Sequence, residues 1–127
     1  MNDDLDNPPS HWKVIFTECF RQWLLSQDDD TQDSVVASLN RLKLFGPNLA
    51  RPYADTLKQS SYKKMKELRI QHQGKPIRAF FAFDPLRQAI VLCAGDKSND
   101  KGFYIRMLRV AEHEFTNYLN SLENKNG

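Results

Sequence analysis

Hydrophobic and polar residues alternate most regularly in the middle of the chain, in residues 65–97. In residues 77–83 the alternation sends a row of apolar side chains to each side, which predicts a central strand. Residues 73–75 and 84–87, on either side of this strand, have the composition of hairpin loops. Residues 89–94 are continuously apolar, which is typical of a strand covered on both faces. The pattern therefore predicts an antiparallel meander of three strands.

A short strand and two helices are predicted ahead of the meander. Residues 12–17 alternate with aromatic and β-branched side chains, which indicates a first strand at an edge of the sheet. Helical spacing follows in residues 18–26 and again in residues 31–45, where Gly46 as a left-handed cap and Pro47 end the second helix. The side chains expected to be buried are Phe20, Trp23 and Leu24 in the first helix and Val35, Val36, Leu39 and Leu42 in the second.

The rest of the pattern predicts an ordered loop and a long final helix. Residues 48–62 form the loop, for which the expected anchors are Leu49, Tyr53 and Leu57. After a polar cap at residues 98–100, residues 101–122 form the helix. Its predicted apolar stripe consists of Ile105, Leu108, Ala111, Phe115, Tyr118 and Leu122. The predicted fold is α+β: an N-terminal strand and helical hairpin packed on a small antiparallel sheet, which is the meander plus the first strand, closed by the long C-terminal helix.

The composition narrows the class of protein. With 127 residues, 40% hydrophobic and 27% charged, the chain is expected to form one soluble domain over residues 12–127, after a disordered tail at residues 1–11. Neither a signal peptide nor an apolar run near the ~20 residues of a membrane span is present. Cys19 and Cys93 are too few for a disulfide framework or a zinc site. We therefore expect a cytoplasmic protein with no metal and no cofactor.

Charge is distributed unevenly along the chain. Residues 1–57 hold 5 basic and 9 acidic side chains, whereas residues 58–109 hold 12 basic and 4 acidic ones, a net charge of +8. A concentrated positive charge attracts polyanions and is typical of nucleic-acid binding. Basic residues also keep exposed strand edges soluble, and charge alone does not decide between the two interpretations.

Residues 66–104 carry the motifs KELR, FDP and GDK in this order, followed by Tyr104, within KELRIQHQGKPIRAFFAFDPLRQAIVLCAGDKSNDKGFY. This run resembles the RelE/ParE superfamily of bacterial toxins, in its phage-like HigB-type branch. The residues FGPNL and RPY, between positions 45 and 53, support the resemblance, which spans about residues 12–122. It implies cleavage of messenger RNA in the ribosomal A site, with the ribosome and its mRNA and a cognate helix-turn-helix antitoxin as partners, and no membrane.

The resemblance also implies a set of catalytic residues. These are Lys66, Arg69, Arg78, Lys97 and Tyr104. Cleavage requires the ribose 2′-OH to lose a proton and attack the adjacent phosphate, while the 5′-oxygen leaves protonated. Like charges at Arg69 and Arg78 would lower the pKa of Lys66, which could then act as the general base. Arg78 would hold the phosphoryl oxygens through its fork of donors.

The other roles and their structural alternatives remain open at this point. Lys97 or His72 would protonate the leaving oxygen, and Tyr104 would stack on a base or orient the 2′-OH. The further residues expected to contact RNA are Lys63, Lys64, His72, Lys75 and Lys101. In purely structural terms, Lys66, Arg69 and Lys97 form a solvated strand face, Arg78 forms an ion pair with Glu67, and Tyr104 belongs to an amphipathic helix.

Two functions other than a nuclease fit the same pattern. One is a non-catalytic, ParE-like inhibitor that acts by binding a protein target. ParE-like members generally lack the basic catalytic set, so the presence of that set favours the nuclease. The other is a basic RNA-binding module without toxicity, whose binding would depend steeply on salt concentration.

Overall fold

The computed structural model describes residues 11–126, which form five strands, three helices and one 3-10 turn. In chain order these are β1 (Lys13–Phe16), α1 (Glu18–Leu25), α2 (Asp29–Phe45), the 3-10 turn Gly46–Asn48, β2 (Ala54–Thr56), β3 (Lys66–His72), β4 (Lys75–Phe83), β5 (Gln88–Asp96) and α3 (Phe103–Asn126). One sheet holds the strands in the order β1-β5-β4-β3-β2. The predicted α+β fold, with its helical hairpin and long final helix, is confirmed. The predicted tail lies outside the described residues except for His11.

The sheet differs from the prediction in two respects. The antiparallel meander β3-β4-β5 and the edge position of β1 are confirmed, but β1 runs parallel to β5, with Lys13 beside Gln88. The sheet is therefore mixed. A fifth strand, β2, lies in the predicted loop and pairs with β3 from Ala54 beside Leu68 to Thr56 beside Lys66. Its three residues are too few to show an alternating pattern, so pairing with β3 rather than propensity defines it.

Both faces of the sheet are buried. Helices α1 and α2 cover one face, where Leu68, Ala79 and Phe81 belong to one core cluster. Helix α3 covers the other, where Phe80 and Leu92 belong to a second cluster. The pairing register between β4 and β5 shifts between Phe80, which pairs with Cys93, and Phe81, which pairs with Val91. The extra residue lies in β5 and forms a bulge, so the side chains of β4 keep alternating between the two faces. Burial on both sides explains why residues 89–94 of β5 are all apolar.

Three predicted core residues are exposed. Val36 on α2 is 45% exposed, Ile105 on α3 is 68% exposed and Tyr53 is 43% exposed. Successive residues of a helix are rotated by about 100° around its axis. At that rotation, Val36 and Ile105 each lie about 100° or more from the centre of the buried stripe of their helix, so their side chains point away from the sheet. Helix α2 also begins at Asp29, two residues before the predicted start, because the Asp28 carboxylate accepts a hydrogen bond from the amide of Thr31 at 2.8 Å.

No helix within residues 11–126 combines the length and the apolar composition needed to cross a bilayer.

Gly46 caps the C-terminal end of α2 and packs against Trp12. Its φ of 52° confirms the predicted positive angle, but its ψ of −132° lies outside the left-handed helical region. A Cβ at this position would lie 2.3 Å from Nε1 of Trp12. Glycine therefore serves two purposes here, because it allows the backbone angles and it leaves room for the Trp12 ring.

We predict that Gly46→Ala destabilises the protein more than Gly74→Ala does. Gly74 also has a positive φ, 79°, but a Cβ there would meet no atom within 4 Å. Gly74→Ala should therefore lose only about 1–2 kcal/mol for the backbone conformation. Gly46→Ala should lose about 1–3 kcal/mol more, because the indole must move. Urea unfolding of the two variants measures the difference, and equal losses would contradict the role of Trp12.

Candidate active site

A buried carboxylate forms the centre of the candidate site. Glu67 on β3 is 3% exposed and faces α3. Its Oε1 accepts a hydrogen bond from the hydroxyl of Tyr104 at 2.6 Å, and its Oε2 accepts one from Nε of Arg69 at 3.0 Å. Nε of Arg78 lies 3.6 Å from Oε1. Three residues from three elements therefore converge on one negative charge.

Strand register brings these side chains to one face. Arg69 on β3 is the cross-strand partner of Arg78 on β4, whose other neighbour is Gly95 on β5. Directly opposed residues point to the same side of a sheet. A Cβ on Gly95 would lie 3.1 Å from the Phe103 ring, so the glycine allows the start of α3 to approach the sheet. This approach places Tyr104 within hydrogen-bonding distance of Glu67.

The side chain of Arg78 is almost buried, but not all of its hydrogen-bond donors have a partner. Its side chain is 11% exposed, and it donates one hydrogen bond to the carbonyl of Ile77 at 3.0 Å. Within residues 11–126, its Nε is the buried side-chain polar atom without a hydrogen-bond partner. The ion pair with Glu67 that the sequence suggested as a structural alternative is therefore present. Arg78 nevertheless keeps a donor whose hydrogen-bonding capacity is unused.

Lys97 and Tyr104 form a second contact at this site. Nζ of Lys97 lies 5.5 Å from the centroid of the Tyr104 ring, within the range of a cation–π interaction. Burial raises the pKa of Tyr104, the hydrogen bond to Glu67 raises it further, and Arg78 lowers it in part. The phenol therefore stays protonated at neutral pH and donates to the carboxylate.

The strand that the sequence did not predict positions Arg69. Asp55 on β2 accepts hydrogen bonds from Arg69 at 3.3 Å and from Arg51 at 2.6 Å. Hydrogen bonding to Arg51 is the largest cause that lowers the pKa of Asp55. Arg69 is thus fixed between the carboxylates of Asp55 and Glu67.

Lys66 lies on the opposite face of the sheet. It is the cross-strand partner of Phe81, whose ring belongs to the core under the helical hairpin. Lys66 lines a separate cavity of about 350 Å³ together with Trp12 and Phe83. The expected crowding of Lys66 by Arg69 and Arg78 is therefore wrong, because residues three apart on a strand point to opposite sides.

Three of the residues expected to contact RNA, namely His72, Lys75 and Lys64, lie away from this site. His72 is hydrogen-bonded through Nδ1 to Oγ of Ser34 at 2.6 Å, on the α2 side, and Lys75 is its exposed cross-strand partner. Lys64 lines the cavity of Lys66. Lys63 and Lys101 are exposed. Of the residues that the sequence singled out, Arg69, Arg78 and Tyr104 therefore meet around Glu67, and Lys97 lies against the Tyr104 ring. Lys64, Lys66, His72 and Lys75 lie elsewhere.

A cavity of about 580 Å³ reaches the site from the β3 side of the sheet. Arg78 and three residues of β3, Arg69 to Gln71, line one part of it, and residues of α2 and of the segment before β2 line the rest. Within residues 11–126, no three His, Cys, Asp or Glu side chains lie close enough to hold a metal ion. The functional groups of this site are thus cations, one carboxylate and one phenol.

The sequence pattern predicts only one role for Glu67, that of an ion-pair partner for Arg78. One signal was available: Glu67 is the single acidic residue between positions 56 and 83, in a stretch rich in Lys and Arg. A lone carboxylate in a buried strand requires cationic or hydrogen-bonding partners. The sequence does not show which partners satisfy it.

Solved structures share this fold. The E. coli toxin RelE, a double mutant in the free state, aligns with a TM-score of 0.57 and 10% identity, covering 79% of this chain and 98% of RelE. The toxin–antitoxin complex RelBE2 from Mycobacterium tuberculosis contains a chain that aligns with a TM-score of 0.55 and 14% identity, covering 74% of this chain and 100% of that one. The fold is therefore that of RelE-type toxins.

Sequence comparison defines the family. Residues 22–116 match the family described as "Phage derived protein Gp49-like (DUF891)". A Mycobacterium tuberculosis protein named as the toxin HigB3 is 38% identical over 109 residues, 85% of this chain and 94% of HigB3. Another, named as the toxin HigB2, is 40% identical over 103 residues, 80% of this chain and 51% of HigB2. The chain belongs to the Gp49-like family, in the HigB-type branch of the RelE-superfamily toxins of type II toxin–antitoxin systems.

We predict that Glu67→Gln lowers the pKa of Tyr104. The wild-type hydroxyl should titrate above the ordinary tyrosine value of about 10, because burial and Glu67 both disfavour the phenolate. Glutamine removes the negative charge and leaves Arg78, which favours the phenolate, so the midpoint should fall. NMR titration of ring-labelled tyrosine across the alkaline range measures it.

Tyr118 provides an internal control in the same spectrum. Burial, followed by a hydrogen bond to Asp84, raises the pKa of Tyr118 to about 12. Its midpoint should not change in Glu67→Gln, since its partners are Asp84 and Gln88. An unchanged or higher midpoint for Tyr104 in the variant would contradict the contribution of Glu67.

Proposed function

We propose that this toxin is an endoribonuclease that cleaves messenger RNA on the ribosome, in the cytoplasm, without a metal or a cofactor. The observation that supports the proposal best is the convergence of Arg69, Arg78 and Tyr104 on Glu67, with Lys97 against the Tyr104 ring. Attack of a 2′-OH on the adjacent phosphate builds negative charge on the phosphoryl oxygens. A cluster of cations beside a proton acceptor fits that reaction.

Arg78 and Arg69 would bind the scissile phosphate. Arg78 has a buried Nε without a hydrogen-bond partner, and both arginines are among the residues that line the cavity of about 580 Å³. Guanidinium groups bind phosphate oxygens through paired, charge-assisted hydrogen bonds. The phosphate would therefore bind where the cavity meets the Glu67 cluster.

Proton transfer would follow the hydrogen bond between Tyr104 and Glu67. The 2′-OH would give its proton to the Tyr104 hydroxyl oxygen as the phenol passes its own proton to Glu67, 2.6 Å away. Lys97 would protonate the departing 5′-oxygen, which leaves a 2′,3′-cyclic phosphate and a 5′-hydroxyl. Glu67 thus replaces Lys66 as the proposed base, since Lys66 lies on the other face.

Ribosome dependence and an antitoxin partner are parts of the same proposal. The site has no pair of histidines, and in-line attack requires the RNA to be bent, which a ribosome can do. The net charge of +8 over residues 58–109 would favour binding to ribosomal RNA as well as to the message. The structure of RelBE2 is a toxin–antitoxin complex. By analogy, we infer a cognate antitoxin, one with a DNA-binding helix-turn-helix domain.

A non-catalytic inhibitor is the second candidate function. One observation favours it: Arg78 is 11% exposed and its partner Glu67 is 3% exposed, as in an ion pair that serves only the fold. In that case the toxin would act by binding a protein target. Growth arrest that persists in Arg78→Ala and in Lys97→Ala would support this second function.

We predict that Arg78→Ala and Lys97→Ala each reduce cleavage of ribosome-bound mRNA by about 100-fold or more, the usual effect of removing a group that stabilises transition-state charge. Lys66→Ala should cleave at nearly the wild-type rate, because that side chain lies on the other face of the sheet. Purified protein is incubated with translating and with naked mRNA, and the cleaved ends are mapped by primer extension.

Two controls make the result interpretable. Thermal unfolding of each variant shows whether lost cleavage reflects lost fold, and naked mRNA should stay intact with every protein. Equal cleavage of naked and translating mRNA would contradict ribosome dependence. Absence of cleavage by the wild type, or full activity of Arg78→Ala, would contradict the proposed nuclease site.

A further inference from the structure

The large cavity contains a second feature besides the catalytic arginines. The guanidinium carbon of Arg41, on α2, lies 4.0 Å from the centroid of the Tyr53 ring. Both residues line the same cavity of about 580 Å³ as Arg69 and Arg78. One continuous space therefore connects a cation–aromatic pair to the proposed phosphate site.

This pair is held in place by the backbone around it. The carbonyl of Tyr53 accepts a hydrogen bond from the amide of Arg69 at 2.8 Å, so the position of Tyr53 is tied to β3. Arg41 precedes Leu42, a completely buried residue of the helical hairpin. The pair is thus anchored on two elements of the fold, although the Tyr53 residue is 43% exposed.

Among the described residues, no carboxylate forms an ion pair with Arg41, whereas Arg51 and Arg69 share Asp55. Ser34 and Gln71 add polar groups to the cavity wall. An apolar peptide side chain would gain little binding free energy in a space lined by so many polar groups. An aromatic ring attached to an anion could contact the arginines through its charge and the Tyr53 ring through its face.

We propose that Arg41 and Tyr53 form a stacking platform for the nucleobase adjacent to the phosphate that Arg69 and Arg78 bind. The inference rests on the proposed nuclease function and adds a base subsite to it. Single-stranded nucleotides are recognised by stacking on aromatic rings and on arginine planes. A cavity of about 580 Å³ falls within the range of sites that hold small ligands.

The test compares two probes of equal charge. One is 2′-deoxyadenosine 3′,5′-bisphosphate, which lacks the 2′-OH and is not cleaved, and the other is the abasic deoxyribose 3′,5′-bisphosphate. The wild-type protein should bind the probe with the base about tenfold more tightly, which is the contribution expected of one stacked base. NMR titration measures both affinities and maps the contact to Arg41 and Tyr53.

Variants separate stacking from charge. Tyr53→Ala and Arg41→Ala should remove the preference for the base, and Tyr53→Phe should keep it because the ring remains. Arg87→Ala is the matched control, since Arg87 lies 5.0 Å from the centroid of the Trp12 ring, in a cation–aromatic pair outside this cavity. It should bind both probes as the wild type does.

The outcomes separate this inference from the proposed function. Equal affinity for the two probes, no measurable binding of either, or a preference that survives Tyr53→Ala would overturn the platform, even if the protein cleaves ribosome-bound mRNA. A tenfold preference that depends on Tyr53, in a protein that does not cleave, would uphold the base subsite and overturn the nuclease instead.

Discussion

Neutralisation of the buried Glu67 carboxylate is the constraint on which the rest of this structure depends. A carboxylate that is 3% exposed is strongly unfavourable unless cations or hydrogen-bond donors compensate its charge. The donors come from β3, β4 and α3, through Arg69, Arg78 and Tyr104. Any arrangement that separates these elements leaves a charge buried without a partner. The local polar cluster and the packing of the fold are therefore coupled.

The two-sided sheet makes this coupling possible. Helix α3 covers one face with an apolar stripe that includes Ala111 and Phe115. Tyr104, in the first turn of α3, donates a hydrogen bond to Glu67 on β3. Gly95 allows the close approach, because any larger side chain would meet the Phe103 ring. Docking of α3 thus buries apolar surface and completes the Glu67 cluster in the same step, so the candidate site exists only in the folded chain.

The sequence predicted the parts of the structure that depend on local periodicity. Alternation predicted the meander, and helical spacing with caps predicted α1 and α2 to within two residues at each end. The direction of β1 and the existence of β2 depend on pairing with distant strands, which their own residues do not encode. The same limit applies to the site. Lys66 and Arg69 are an odd number of residues apart on one strand, so the sequence alone already places them on opposite faces of the sheet. Only the pairing register between β3 and β4 shows that Arg78 lies beside Arg69.

In the proposed reaction, the substrate phosphate and Glu67 compete for the same guanidinium groups. Before RNA binds, Arg78 and Arg69 neutralise the carboxylate, which keeps two cations in place without a bound anion. A phosphate that draws Arg78 towards itself would take this guanidinium from Glu67 and leave Arg69 and the Tyr104 hydroxyl as the remaining partners of the carboxylate. Phosphate binding would therefore be coupled to the hydrogen bond along which the proton is transferred. On this view the ion pair that holds the fold together also links the substrate to the group proposed as the base.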